Sequence, residues 1–104
     1  MSTDIETVID SGCAKPDMKV KEPSMYKVII LNDDKTPMDF VVEILMSIFH
    51  KDKGTAKMIM LDAHHTGASH CGVYTMEVAE TKIQLVKDSA KKRRYPLACT
   101  MEEN

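Results

Sequence analysis

Hydrophobic and polar positions divide the chain into two parts. Through about residue 22, polar, small and charged residues alternate without a helical or strand period, punctuated by Gly12 and Pro16 and closed by Pro23. This predicts a flexible N-terminal extension over residues 1–22 and one core domain over residues 23–104. Within the core, Tyr26-Lys27-Val28-Ile29-Ile30-Leu31 is apolar and β-branched, and predicts a strand ending in the Asn32-Asp33-Asp34 cluster. Thr36 as N-cap, Pro37 at the first helical position and Asp39 in the first turn then predict a helix running to about His50. A second helix is expected from near Asp52, its N-cap, to just before Gly67, a natural left-handed C-cap. Residues 68–75 read as a strand with Gly72 in its middle. Residues 76 to about 92 read as a third helix with Val78, Ala79, Ile83, Leu85 and Val86 as its apolar stripe. Pro96 stops it, and Leu97 to Met101 reads as a last strand. The order β-α-α-β-α-β predicts an α+β fold, a three-stranded antiparallel sheet packed against three helices.

The first helix is apolar over more of its circumference than packing on a sheet requires. At about 100° per residue, its apolar side chains from Met38 to Phe49 fill roughly 240° of arc, with Asp39, Glu43 and Ser47 as the polar side. A surface helix needs little more than about 100°. Either the second helix covers the surplus, or its Met38–Val41–Val42 edge lines a pocket. On the second helix Met60 and His64 stack one turn apart with Ala63 beside them, which puts an imidazole at the end of an apolar face. Asn32 and Asp34 stand at a strand end, where polar side chains commonly converge. Amide oxygen, carboxylate and imidazole together can accept hydrogen bonds from a cation with several N–H donors. An apolar hole with such a rim suits an α-ammonium group that carries a large apolar side chain, as at a protein N-terminus.

Composition narrows the class. With 104 residues there is room for a single modest core, and a formal net charge of −2 offers no broad positive field for nucleic acid or an anionic membrane. No apolar run approaches the length of a membrane span. Met1 to Asp10 carry no Lys or Arg and no apolar block, so no secretory signal is expected and the protein reads as cytoplasmic. Three cysteines (Cys13, Cys71 and Cys99) without CxxC spacing suit reduced thiols, the latter two as small buried hydrophobes. Nine methionines against two Phe and no Trp suit either core filling or a surface that adapts to varied apolar partners. Nothing here demands more than a monomer.

Several of these blocks, in this order, resemble the ClpS family of bacterial N-degron adaptors. They are Pro23-Ser24-Met25-Tyr26-Lys27-Val28; Asn32-Asp33-Asp34-x-Thr36-Pro37-Met38-x-Phe40-Val41; His64-x-x-Gly67; Cys71-Gly72-Val73-Tyr74; Glu77-Val78-Ala79-Glu80-Thr81-Lys82; and Tyr95-Pro96-Leu97-x-Cys99-Thr100. The resemblance implies a non-enzymatic adaptor without a cofactor. It would bind proteins beginning with Leu, Phe, Tyr or Trp and deliver them to the ClpA unfoldase of the ClpAP protease. By position, Asn32, Asp34 and His64 would hold the substrate α-amino group. Met38, Val41, Met60 and Leu97, with Ile30, Thr36 and Ala63 nearby, would line the side-chain pocket. Glu77 and Lys82 would dock on the unfoldase N-domain, and the N-terminal extension would engage the unfoldase during hand-off. Ala63 departs from the bulkier aliphatic residue expected there; it enlarges the pocket, or a neighbouring Met offsets it.

Rival readings have weaker support. His64, His65, His70 and Cys71 match no common zinc spacing, so no metal site is expected. A Cys71–His64–Asp34 hydrolase needs an exposed, activated thiol, whereas Cys71 lies in an apolar strand. The Lys91–Arg94 run complements a helix C-terminus and reads as solvated. The closest rival is a modulator of the unfoldase that docks in the same way but recognises no N-terminal residue.

Overall fold

The computed structural model describes residues 24–104; the expected extension over residues 1–22, and Cys13 with it, lies outside them. The elements are β1 (Met25–Leu31), α1 (Met38–Ser47), α2 (Lys53–Thr66), β2 (Ala68–Thr75), α3 (Met76–Arg93) and β3 (Ala98–Glu103). The strands form one antiparallel sheet in the order β2-β1-β3, with β1 central. The expected α+β architecture is the one observed.

Period-2 alternation along β1 sets the layers. Val28 and Ile30 join the core with Phe40, Val41, Ile44 and Leu45 of α1. Lys27, on the opposite parity, pairs with Glu102 across the sheet at 3.5 Å. Ile30, Leu45, Val28 and Val86 are the largest fully buried aliphatic side chains, each contributing about 1.5–3 kcal/mol by leaving water. β2 carries a bulge: Val28 faces Gly72 and Ile29 faces His70, so Cys71 is the extra residue. Gly72 sits at φ 156°, and a Cβ there would come within 2.5 Å of the Tyr74 hydroxyl, so the ring needs the missing side chain.

Several details differ from the sequence expectation. Pro37, not Thr36, is the α1 N-cap, with extended backbone and its carbonyl accepting from the Phe40 and Val41 N–H groups. Thr36 is already committed. Its N–H donates to Asp33 Oδ1 at 2.7 Å and its hydroxyl to Asp33 Oδ2 at 2.7 Å, while Lys35 N–H donates to Oδ1 at 2.8 Å. Such local side-chain bonds compete with capping and fold the loop as an Asx-type turn. Helix α1 also stops at Ser47 rather than His50, because His50 takes a left-handed φ of 56° and the Lys51 N–H turns back to the Leu45 carbonyl. The third strand begins at Ala98, one residue after Leu97.

On α3 the buried line is Ala79, Val86 and Ala90, with Ile83 half-buried. That spacing of four, three and four is the true core stripe. Val78 and Leu85, expected in it, are 43% and 46% exposed; seven residues apart, they stack on a neighbouring face of the helix. Alanines at both ends of this line, Ala79 and Ala90, add little bulk between the core and α3. Lys82 fastens it further: its ammonium donates to the Ile48 carbonyl at 2.6 Å and lies 5.1 Å from the Tyr74 ring centre and 5.8 Å from that of Phe49.

Two predictions follow from these ties. Lys82→Met keeps the stem but removes a charge-assisted hydrogen bond and the ring contacts, and should lower stability by about 1–2 kcal/mol in urea unfolding. Burial would raise the Asp33 carboxyl, but the hydrogen bonds from Thr36 and Lys35, together with the Lys35 charge, hold it below the ordinary carboxylate value. A folded-state value below the unfolded one stabilises above the unfolded value and is lost as pH falls through the folded one. Wild type should therefore exceed Asp33→Asn in stability at neutral pH, and the gap should close as unfolding is measured at successively lower acidic pH.

Candidate functional site

The end of β1 and the end of α2 meet at Gly67. This residue caps α2 in the left-handed conformation, φ 94°, with its N–H on the Ala63 carbonyl at 2.8 Å. Its own carbonyl accepts from the Asn32 N–H at 2.9 Å, and Leu31 pairs with Ala68 in the sheet. A Cβ at Gly67 would meet nothing within 4 Å, so the backbone angle rather than space calls for glycine. The turn brings the last residue before the Asx-type loop beside the last turn of α2, and so brings Asn32 near His64.

Between these ends, and under the start of α1, lies a cavity of about 310 Å³ with its mouth included. Its apolar walls are Ile30 and Leu31 from β1, Val41 from α1, Met60 and Ala63 from α2, and Leu97 from the approach to β3. Asn32, Asp33, Thr36, Met38 and His64 complete the lining, with Asn32, Met38 and His64 exposed at its edge. β1, the loop after it, α1, α2 and the approach to β3 thus all contribute. The interior is tight, leaving only about 20 Å³ to the centre of a water molecule, room for one or two waters. Met38 and Met60 are the side chains best able to yield, because an unbranched thioether has several rotatable bonds.

The structure brings nine of the expected residues together here: Ile30, Asn32, Thr36, Met38, Val41, Met60, Ala63, His64 and Leu97. Asp34 is not among the lining residues; it is exposed on the same loop. Asp33 lines the cavity instead, with its carboxylate oxygens engaged by Thr36 and Lys35. Leu31 and Asp33 escaped the sequence reading. Leu31 could have been found as the last residue of an apolar run, whereas Asp33 needed the turn geometry.

Cys71 offers no nucleophile. It is 1% exposed, and burial, reinforced by the nearby Cys99 thiol, pushes its thiol up to about 12. Cys99 is likewise pushed up by burial, to about 11. Among the described residues, no three His, Cys, Asp or Glu side chains gather as a metal site. None of the described helices is long and apolar enough to cross a membrane. A second surface, on α3, joins Glu77, Val78, Thr81, Lys82 and Leu85 in a shallow apolar hollow with a charge of each sign.

Comparison with known proteins gives this geometry a context. The family described as "ATP-dependent Clp protease adaptor protein ClpS" matches residues 21–100. The chain is 55% identical over 83 residues to the ATP-dependent Clp protease adapter protein ClpS of Maricaulis maris, covering 80% of this chain and 76% of that one. It is 54% identical over 86 residues to the protein of the same name from Caulobacter vibrioides, covering 83% and 79%. The solved structure of Agrobacterium tumefaciens ClpS2 bound to L-phenylalaninamide matches with a TM-score of 0.78 at 36% identity, over 80% of this chain and all of that one. By sequence and by fold, the chain belongs to the ClpS family of Clp protease adaptors.

Proposed function

We propose that the cavity binds the first residue of a protein, Leu, Phe, Tyr or Trp, and that this chain delivers such proteins to a ClpA-type unfoldase of a cytoplasmic protease. The observation that carries the reading is an apolar hole edged by acceptors: Met60, Ala63, Val41 and Leu97 inside, Asn32 and His64 at the mouth. The A. tumefaciens relative supports it, since phenylalaninamide is an aromatic side chain with a free α-amino group and an amide in place of the next peptide bond. Asn32 oxygen and His64 imidazole accept from the ammonium group. Asp34, exposed nearby, adds negative charge over the mouth rather than a wall contact. Asp33 holds the loop. Glu77 and Lys82, with the apolar Val78 and Leu85 between them, form the face that docks on the unfoldase N-domain. The adaptor itself acts as a monomer without cofactor or catalysis.

The energies are sufficient. Burying one large apolar side chain contributes about 1.5–3 kcal/mol, and each charge-assisted hydrogen bond roughly 1.5–3 more. After the costs of association, a net of about 6–8 kcal/mol corresponds to binding near the low-micromolar range. Cargo held this way is released readily.

Fluorescence anisotropy with short labelled peptides tests the reading. A Phe-initiated peptide should bind at least about tenfold tighter than its acetylated form, which lacks the cation. Asn32→Ala and His64→Ala should each weaken it by about tenfold or more, whereas Asp34→Ala should weaken it less, and less still at high salt. Equal binding of free and acetylated peptides would leave only a modulator of the unfoldase. Pocket width is tested separately. Ala63→Val adds bulk to a tight wall, a change that costs roughly 1–3 kcal/mol when the site cannot yield; Phe- and Trp-initiated peptides should lose more affinity than Leu-initiated ones.

A further inference from the structure

The surplus apolar arc of α1 is not used up by the cavity. Met38 and Val41 face the cavity, but Val42 and Met46 turn to a separate groove between α1 and α2, where Leu61 and Met60 form the other wall. Met46 and Leu61 are 40% and 45% exposed. Met60 lines both hollows, so the groove adjoins the cavity across that one side chain. Met38, Met60 and His64 line the cavity together, and Ser47 and Lys53, at the end of α1 and the start of α2, line the groove. The groove therefore follows the two helices for about eight residues, or roughly 12 Å. At about 3.3 Å per residue, this distance takes three or four residues of extended chain.

We propose that this groove receives the residues immediately after the first residue of the bound polypeptide, in extended form, and favours apolar side chains at the second and third positions. The proposal rests on the reading of the cavity as a site for a protein's first residue. The charges at the rim decide the chemistry of the preference. Asp39 and Glu43 stand on the α1 side and Lys53 and Lys57 on the α2 side, so neither sign is selected overall. The discriminating contact is the apolar floor of Val42, Met46 and Leu61. Met46 is flexible, and both Met46 and Leu61 are partly exposed, which fits varied sequences in place of one fixed motif.

The test uses two labelled peptides, identical except that one begins Phe-Leu-Leu and the other Phe-Ser-Ser, titrated by anisotropy against the full chain. Wild type should bind Phe-Leu-Leu about three- to tenfold tighter, the effect of partly burying one or two apolar side chains. A Met46→Ser, Leu61→Ser double variant should lose that preference while binding Phe-Ser-Ser as wild type does. Because both side chains are partly exposed, the fold should survive; if thermal unfolding shows otherwise, either single substitution carries the same test. Equal affinity of wild type for the two peptides overturns the proposal, as does a preference that persists in the variant. So does a concentration-dependent dimer in sedimentation that the double variant abolishes, since the groove would then hold a second copy of this chain. Failure of the cavity reading looks different: wild type would bind free and acetylated Phe-Ser-Ser alike.

Discussion

Much of this molecule depends on one backbone angle. Gly67 adopts a conformation that costs an ordinary L-residue roughly 1–2 kcal/mol, and by doing so closes α2 and starts β2 in a single step. The carbonyl it exposes is then taken by Asn32, at the end of the central strand. That bond, with the pairing of Leu31 and Ala68 beside it, ties the acceptor at the strand end to the last turn of α2 that carries the imidazole. The geometry of the cavity mouth is thus built from main chain first and side chains second. This order suits a site whose polar contacts must be placed to within a fraction of an ångström.

The Asx-type turn at Asp33 plays the complementary part on the other side of the cavity. Its three hydrogen bonds fix where α1 starts, and α1 then presents different side chains to three surroundings: Phe40, Ile44 and Leu45 to the core, Met38 and Val41 to the cavity, Val42 and Met46 to the groove. Methionine recurs at the junctions between these surroundings, with Met38 at the cavity mouth and Met60 between cavity and groove. A cavity with so little free interior can admit a ring only if its walls move, and flexible thioethers move at little cost.

How much of this was legible in the sequence depends on the range of the interaction. The order of elements, the Asp52 and Gly67 caps and the alternation of β1 are local signals, and they read correctly. Nine cavity residues were also legible, some through the over-wide arc of α1 and the Met60–His64 spacing, others only through resemblance to the family. What failed was competition between partners. Thr36 has the chemistry of an N-cap, but Asp33 reached it first, and no propensity scale ranks those two partners. Val78 and Leu85 fit an apolar stripe as well as Ala79 and Val86 do. The choice between them is made by which face of α3 the sheet covers, the 79–83–86–90 line, and that is a tertiary outcome the helix's own pattern does not rank. Lys82 was legible only through the family resemblance, as a docking residue, and nothing local showed that its ammonium reaches across to Ile48, thirty-four residues away in the chain.

The cavity and the exposed face of α3 share no residue. On the proposed reading, the consequence is that cargo and partner do not exclude each other through a shared side chain. A polypeptide seated in one does not compete for side chains with a partner seated on the other, and neither must leave for the other to arrive. On that reading, competition for a side chain imposes no order on the assembly of adaptor, cargo and partner.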